Sequence, residues 1–123
     1  MKPLGIVVDD DGPSRKIYGT MLASLGFDIL EAADGEQALV LLQQQQPQVV
    51  LLDMRLPKVN GETVLQYIYE SPHLINTRVF IISAHSEYKY TVPLRSGDAY
   101  FVKPVPSSEV RESVLRILQE FPG

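Results

Sequence analysis

The sequence predicts an α/β fold built on one doubly wound, parallel, five-stranded sheet. Four short runs are apolar at consecutive positions, which is typical of strands that helices cover on both faces of a parallel sheet. These runs are Leu4–Val8, Val49–Leu52, Val79–Ile82 and Ala99–Val102. Helix-like patterns separate the runs, and alternating strands and helices favour a parallel sheet because each helix returns the chain to the same edge.

The first strand is followed by a predicted helix and by a fifth, weaker run. Tyr18 and Leu22 recur at the spacing of one helix face, and Gly26 is a typical helix stop. Asp28 interrupts the next run, Phe27–Leu30, and this favours a position at the edge of the sheet.

Capping residues mark the starts of the next two helices. Asp34 with Gln37 resembles a capping box, and Asn60 is a typical N-cap ahead of the apolar stripe that begins at Val64. The last helix, Ser107–Glu120, has the clearest stripe. Its apolar positions are Val110, Val114, Ile117, Leu118 and Phe121.

The segment Ser86–Ser96 does not suit the helix that the alternation requires between the last two strands. It contains Pro93, which in a helix interior costs about 3 kcal/mol or more, and a cluster of residues with poor helix propensity. The cluster comprises Tyr88, Tyr90, Thr91 and Val92. We therefore expect the fourth helix to be short or distorted.

Composition bounds the class of protein. With 123 residues and 45% hydrophobic content, the chain suits one domain, which we place over residues 1–123. The formal net charge of −4 argues against direct nucleic-acid binding, which depends mainly on lysine and arginine. The absence of cysteine excludes disulfides and thiolate metal sites. The apolar runs are far shorter than the roughly 20 residues that span a bilayer, so we expect a cytoplasmic protein without membrane contact.

Polar side chains suited to phosphoryl chemistry stand at the ends of four predicted strands. They are Asp9, Asp10 and Asp11 after the first strand, and then Asp53, Ser83 and Lys103. Taken singly, most have an ordinary explanation, since acidic residues favour a helix N-terminus and serine or lysine often ends a strand. Asp53 follows four apolar residues, and aspartate is seldom buried without a partner. In open α/β sheets, ligands bind at the edge where these groups would gather.

Together these residues predict a magnesium-dependent phosphoryl site. Carboxylates packed closely repel, so they take up protons or bind a cation, and Mg²⁺ prefers hard oxygen ligands. One carboxylate could then attack a phosphoryl group and become an aspartyl-phosphate. The charge of that transition state requires a metal, a lysine and a hydroxyl group nearby. We expect the two histidines, His73 and His85, at the surface.

The order of these residues closely resembles the receiver domain of two-component response regulators, over essentially the whole chain. Asp9 and Asp10 match the acidic pair of the family, and Asp53 lies within the motif D-x-x-x-P-x-x-[DN]-G, which ends at Gly61. Ser83 matches the small hydroxyl residue and Tyr100 the aromatic switch. Lys103-Pro104 matches the lysine–proline pair. The resemblance implies a flavodoxin-like fold with strand order 2-1-3-4-5.

The resemblance also implies a function. Asp53 would accept a phosphoryl group from a histidine kinase or phosphotransfer protein, with Lys103 and Ser83 assisting. Mg²⁺ would be held by Asp9, Asp10, Asp53 and the backbone carbonyl of Arg55. Ser83 and Tyr100 would then switch conformation for a downstream protein, while Arg55 and His85 would tune the lifetime of the phosphoryl group. Such a domain catalyses only its own phosphorylation and dephosphorylation, so we do not expect an enzyme acting on other substrates.

Two alternatives stand beside this interpretation. The spacing from Ser83 to Lys103 is shorter than is typical of the family, and the altered fourth-helix region favours a degenerate receiver that acts as a phosphorylation-independent interaction module. The intact acidic pair, Asp53 and Lys103 argue against that alternative. A haloacid-dehalogenase-type phosphatase would need a second aspartate where Arg55 stands, so we discount it. We expect no output domain within the chain, and a stand-alone regulator and a piece of a longer protein are equally compatible with the sequence.

Overall fold

The computed structural model, which describes residues 2–120, contains five strands and four α-helices. The strands are β1 (Leu4–Val8), β2 (Asp28–Ala32), β3 (Val49–Leu52), β4 (Arg78–Ser83) and β5 (Ala99–Val102), and the helices are α1 (Gly12–Ser24), α2 (Gly35–Gln44), α3 (Gly61–Glu70) and α4 (Ser107–Glu120). All strand pairs are parallel, in the order β2-β1-β3-β4-β5. The predicted fold class and strand order are confirmed, while Phe121 lies outside the described residues.

The sheet separates two apolar layers, because successive strand residues point to opposite faces. Ile6 and Val50 pack with α2 and α3 on one side, whereas Val7 and Leu51 pack with α1 and α4 on the other. No residue of β3 is more than 2% exposed. The strand that leads to Asp53 is therefore held on both faces. Within residues 2–120, no helix combines the length and the apolar character needed to cross a membrane.

Side-chain caps start α2 and α3 as predicted. The Asp34 carboxylate accepts a hydrogen bond from the Gln37 N–H at 2.8 Å, and the Gln37 side chain in turn accepts one from the Ala33 N–H at 2.9 Å. The Asn60 side chain accepts a hydrogen bond from the Thr63 N–H at 2.9 Å. Each cap contributes about 1 kcal/mol and fixes where its helix begins.

The two edge strands differ from their predictions. β2 covers Asp28–Ala32, slightly later in the chain than the predicted Phe27–Leu30, although its edge position is confirmed. The apolar run of β5 predicted cover on both faces, and this is wrong, because all four of its residues are only half-buried. Its position at the other edge agrees with the strand order that the resemblance implied. Its apolar side chains still find partners, since the rings of Phe101 and Phe80 meet edge-to-face at 5.9 Å.

Between β4 and β5 the chain forms a single 3₁₀ turn, Ser86–Tyr88, followed by irregular backbone up to Asp98. The prediction of a short or distorted fourth helix is confirmed, and strict alternation of strand and helix is wrong at this point. Pro93 and its β-branched neighbours explain the interruption. Because no α-helix covers this flank, β5 remains partly exposed.

A buried polar network ties the end of this irregular segment to the rest of the domain. The Asp98 side chain is fully buried, and its carboxylate accepts hydrogen bonds from the Tyr69 hydroxyl at 2.7 Å and from the Val79 N–H at 2.8 Å. It also pairs with Arg95 Nε at 3.4 Å. The Arg95 guanidinium lies 4.4 Å from the centre of the Tyr69 ring. No sequence pattern had indicated a structural role for Asp98.

Arg95 extends the network to the loop before β4. Its guanidinium donates hydrogen bonds to the carbonyls of Leu74, Ile75 and Thr77. Its own N–H donates to the Tyr69 hydroxyl at 3.0 Å. Burial raises the pKa of Tyr69 to about 12, so the hydroxyl keeps the proton that it donates to the network. Hydrogen bonds thus hold the flank that a helix would otherwise cover.

Candidate active site

The predicted strand-end residues meet at the carboxyl edge of the sheet. Asp9 and Asp53 directly follow the neighbouring strands β1 and β3. Ser83 is the last residue of β4, and Lys103 directly follows its neighbour β5. The topology therefore gathers groups that are up to 94 positions apart in the chain, the separation of Lys103 from Asp9.

Three carboxylates form a cluster that could hold a metal ion. Asp9, Asp10 and Asp53 each offer an oxygen, and these oxygens all lie within 4.8 Å of one another. Asp9 is only 4% exposed, whereas Asp10 faces solvent. Asp11 has a different role: it caps α1 by accepting a hydrogen bond from the Ser14 N–H at 3.0 Å, and this bonding lowers its pKa. The ordinary explanation thus holds for Asp11 but not for Asp9.

Lys103 supplies the positive charge at this cluster. Its Nζ atom lies 3.2 Å from Asp9 Oδ2 and 3.7 Å from Asp53 Oδ2. Burial alone would lower the pKa of Lys103, but the two carboxylates outweigh it and the pKa is raised. The pKa of Asp53 is also raised, because burial and the nearby Asp9 outweigh the opposing effect of Lys103. One lysine therefore leaves the cluster short of positive charge, and a bound cation would supply it.

Backbone contacts fix the position of Asp53. Its N–H donates to the Val8 carbonyl at 2.9 Å, and its Oδ1 accepts a hydrogen bond from the Arg55 N–H at 3.3 Å. Gly61 packs directly beneath it, because a Cβ at that position would lie 2.5 Å from the Asp53 carbonyl oxygen and 2.6 Å from Met54 Cα. The glycine that closes the sequence motif is thus needed for the close approach of α3 to the loop that carries Asp53.

Hydrogen bonds from the start of α1 fix the position of Asp9. Its Oδ1 accepts a hydrogen bond from the Asp11 N–H at 2.9 Å, and its carbonyl accepts one from Arg15 Nη1 at 2.7 Å. Arg15 is in turn paired with Glu31 at 2.9 Å. These contacts orient the buried carboxylate without using the oxygen that faces Lys103.

The predicted switch residues meet through the backbone of His85. Ser83 is completely buried, and its Oγ accepts a hydrogen bond from the His85 N–H at 3.1 Å. The Tyr100 hydroxyl donates to the His85 carbonyl at 2.5 Å. Burial raises the pKa of Tyr100, with the nearby Ser83 hydroxyl acting in the opposite direction. Tyr100 is already half-buried and packed against the core layer of α2 and α3.

Glu87 is a site neighbour that the sequence analysis missed. Its Oε1 lies 3.9 Å from Arg55 Nη2 and 3.4 Å from His85 Nδ1. It thereby joins the two positions predicted to tune the lifetime of a phosphoryl group. His85 is half-buried rather than at the surface, whereas His73 is exposed as predicted. The roles assigned to Arg55, including that of its carbonyl, stay predictions.

A doubly wound parallel sheet with carboxylates and a lysine at its carboxyl edge defines a class of ligand-binding α/β domains. The family model for the response regulator receiver domain matches residues 6–115. The chain therefore belongs to the receiver domain family of response regulators.

Curated relatives support the same assignment. The chain is 31% identical over 114 residues to the probable transcriptional regulator ycf27 of Porphyridium aerugineum, covering 93% of this chain and 47% of that protein. It is 29% identical over 119 residues to the DNA-binding dual master transcriptional regulator RpaA of Synechocystis, covering 95% and 49%. The chain thus spans about half the length of the curated relatives it matches.

Solved structures agree with the fold. The response regulator protein TrrA from Thermotoga maritima, in complex with Mg(2+)-BeF, has a TM-score of 0.81 and 27% identity over 94% of this chain and 99% of that chain. The receiver domain of the Francisella response regulator 1452 has a TM-score of 0.82 and 27% identity over 97% and 98%.

Proposed function

We propose that this domain accepts a phosphoryl group on Asp53, with Mg²⁺, from a histidine kinase or phosphotransfer protein. The observation that carries the proposal is the placement of Asp53 beside Lys103 at 3.7 Å and within the carboxylate cluster. A half-buried carboxylate with a raised pKa, close to two further carboxylates, is poised to bind a cation. The complex of the related TrrA with Mg(2+)-BeF is consistent with a metal and a phosphoryl mimic in such a site.

The carboxylates of Asp9, Asp10 and Asp53 fit Mg²⁺, and the Arg55 carbonyl would complete the protein ligands. When bound, Mg²⁺ would neutralise the charge that develops on the phosphoryl oxygens. An Asp53 oxygen would attack phosphorus, the P–N bond to the donor imidazole would break, and the imidazole would recover its proton from water. Lys103 would shift its ammonium from Asp53 to a phosphoryl oxygen.

The surface beside the site suits a protein donor. Ile17 on α1 is 56% exposed, although large apolar side chains usually lie inside. It shares a cleft with Ala84, Lys103 and Pro104, so the apolar surface extends to the phosphoacceptor edge. A donor domain seated there would bring its imidazole next to Asp53.

Phosphorylation would then act through the Ser83–His85–Tyr100 contacts. To reach a phosphoryl oxygen, the Ser83 hydroxyl would give up the hydrogen bond from the His85 N–H, and the peptide that holds Tyr100 would move. The readout would be a changed surface for a downstream protein. With 15 acidic against 11 basic residues, this domain itself would not bind nucleic acid, even where relatives are transcriptional regulators.

The direct test is phosphorylation by acetyl phosphate, followed by intact-protein mass spectrometry. We expect one phosphoryl group per chain when Mg²⁺ is present and none when EDTA replaces it. The irregular segment after Ser86 favours the alternative, a receiver that binds its partner without phosphorylation. Absence of labelling with Mg²⁺, from both acetyl phosphate and a phosphorylated donor domain, would support that alternative. We propose no catalysis on other substrates in either case.

Lys103→Ala should leave the domain folded but weaken its response to beryllofluoride with Mg²⁺. Charge-assisted hydrogen bonds contribute about 1.5–3 kcal/mol, which corresponds to roughly a 10- to 100-fold loss of affinity. NMR titration measures the affinity, and circular dichroism checks the fold. Lys16→Ala, which removes an exposed lysine from α1, is the control and should bind normally. Equal affinity in the Lys103 variant and the control would contradict the role of Lys103.

A further inference from the structure

Glu87 bridges two loops at the mouth of the candidate active site. Arg55 belongs to the loop after β3, and His85 and Glu87 belong to the segment after β4. The Glu87 carboxylate contacts both Arg55 Nη2, at 3.9 Å, and His85 Nδ1, at 3.4 Å. The ring of Tyr88 also meets that of His85 edge-to-face at 6.5 Å.

Arg55 is the side chain on which this bridge acts. Arg55 lies two positions after Asp53 in the chain, and its backbone N–H donates to Asp53 Oδ1 at 3.3 Å. The Arg55 side chain therefore starts close to the phosphoacceptor. It also lines a cleft with Asp10, Asn60 and Tyr88 that opens beside the carboxylate cluster. A guanidinium binds phosphoryl oxygens and carboxylate oxygens with similar geometry. Glu87 and a phosphoryl group on Asp53 would therefore compete for the Arg55 guanidinium.

The Arg55 guanidinium can pair with either the Glu87 carboxylate or the phosphoryl group. The Arg55 and Glu87 side chains are 64% and 57% exposed, and ion pairs at such exposed positions are weak. A phosphoryl group, with its higher negative charge, would attract the guanidinium away from Glu87 for part of the time. While paired with Arg55, the phosphoryl group would be shielded from the water that hydrolyses it.

We propose that Glu87 is a positioning residue that restrains Arg55 and thereby limits how long the phosphoryl group stays on Asp53. The proposal rests on the proposed phosphoacceptor function. Glu87 also places a negative charge at the mouth of the site, so it slows the approach of anionic phosphodonors. Removal of the Glu87 charge makes phosphorylation faster and hydrolysis slower. Both effects raise the fraction of the protein that is phosphorylated.

The test compares Glu87→Gln with the wild-type chain and with Glu62→Gln, which removes an exposed glutamate from the cleft that Arg55 lines. Each protein is phosphorylated with acetyl phosphate and Mg²⁺, the donor is removed, and phosphoprotein is followed by mass spectrometry. We expect the phosphoryl lifetime of Glu87→Gln to rise by roughly two- to fivefold, the factor that corresponds to one exposed ion pair. The control should match the wild type, and Glu87→Asp, which keeps the charge, should stay closer to the wild type than Glu87→Gln does.

Two further measurements separate this role from a merely structural one. The gain should vanish in an Arg55→Ala background, because there is no guanidinium to release. It should also shrink as salt is raised, since salt screens exposed charges. A lifetime in Glu87→Gln equal to or shorter than that of the wild type, or a gain that persists without Arg55, would overturn the proposal while leaving Asp53 as the acceptor. If the wild-type chain takes up no phosphoryl group from acetyl phosphate or a donor domain, the phosphoacceptor function and the role of Glu87 are both wrong.

Discussion

Asp53→Asn should abolish phosphorylation by acetyl phosphate with Mg²⁺. The amide preserves the size of the side chain, but it carries no negative charge to attack phosphorus and is a poorer metal ligand. The rest of the site, including Lys103 at 3.2 Å from Asp9, can persist in the variant. Intact-protein mass spectrometry measures the loss, and peptide mapping of the wild type locates the acceptor.

Asp11→Asn is the matched control for this experiment. Asp11 lies in the same acidic run, but its carboxylate caps α1 by accepting from the Ser14 N–H, and asparagine is an equally good cap. The control should be phosphorylated normally, whereas Asp10→Ala should lose phosphorylation because it removes one of the three clustered carboxylates. Full labelling of Asp53→Asn at another residue would show that the acceptor has been misassigned.

Asp98→Ala should lower the free energy of unfolding by about 3–5 kcal/mol, the usual cost of breaking a buried charge pair by removing one partner. The truncation would leave the Arg95 guanidinium without its carboxylate, and it would take the acceptor from the Tyr69 hydroxyl and the Val79 N–H. Unsatisfied buried groups of this kind are expensive. Equilibrium unfolding in urea, followed by circular dichroism, gives the free-energy difference.

Asp28→Ala provides the comparison for Asp98. Asp28 is an exposed aspartate on an edge strand, paired with Lys2 at 3.9 Å, and exposed pairs contribute about 0–1 kcal/mol. A loss of less than 1 kcal/mol in Asp98→Ala would mean that the hydrogen bonds around Arg95 do not hold the flank. That result would leave packing of the half-buried side chains as the main source of order there.

The sequence predicted most of the fold because its signals are local. Each strand that ends in a candidate site residue is a short apolar run, and caps such as Asp34 and Asn60 lie within three residues of the N–H groups they accept from. The grouping of Asp9, Asp53 and Lys103 followed once the strands were taken as parallel neighbours. The same reasoning correctly favoured an irregular segment around Pro93.

What the sequence did not predict depends on contacts between distant residues. Asp98 is joined to Tyr69, 29 positions away, and no periodic pattern encodes such a pair. An apolar run such as that of β5 indicates a strand but not which of its flanks a helix covers, so its partial exposure was missed although the strand order implied by the resemblance placed it at the edge. The place of Glu87 beside the site was missed for a similar reason, since it depends on a contact with Arg55 in another loop.

The irregular segment between β4 and β5 is held by polar contacts at both of its ends, and this has an evolutionary consequence. At its start, the His85 N–H donates to Ser83 and the His85 carbonyl accepts from Tyr100. At its end, Arg95 pairs with the buried Asp98. Between these two ends lies a stretch in which Tyr90 is 89% exposed. Mutations in that stretch can alter the exposed surface while the hydrogen bonds at its two ends, and with them the carboxyl edge of the sheet, stay unchanged. A lineage carrying this domain could therefore acquire new binding partners through a few surface substitutions, without passing through forms that fail to fold.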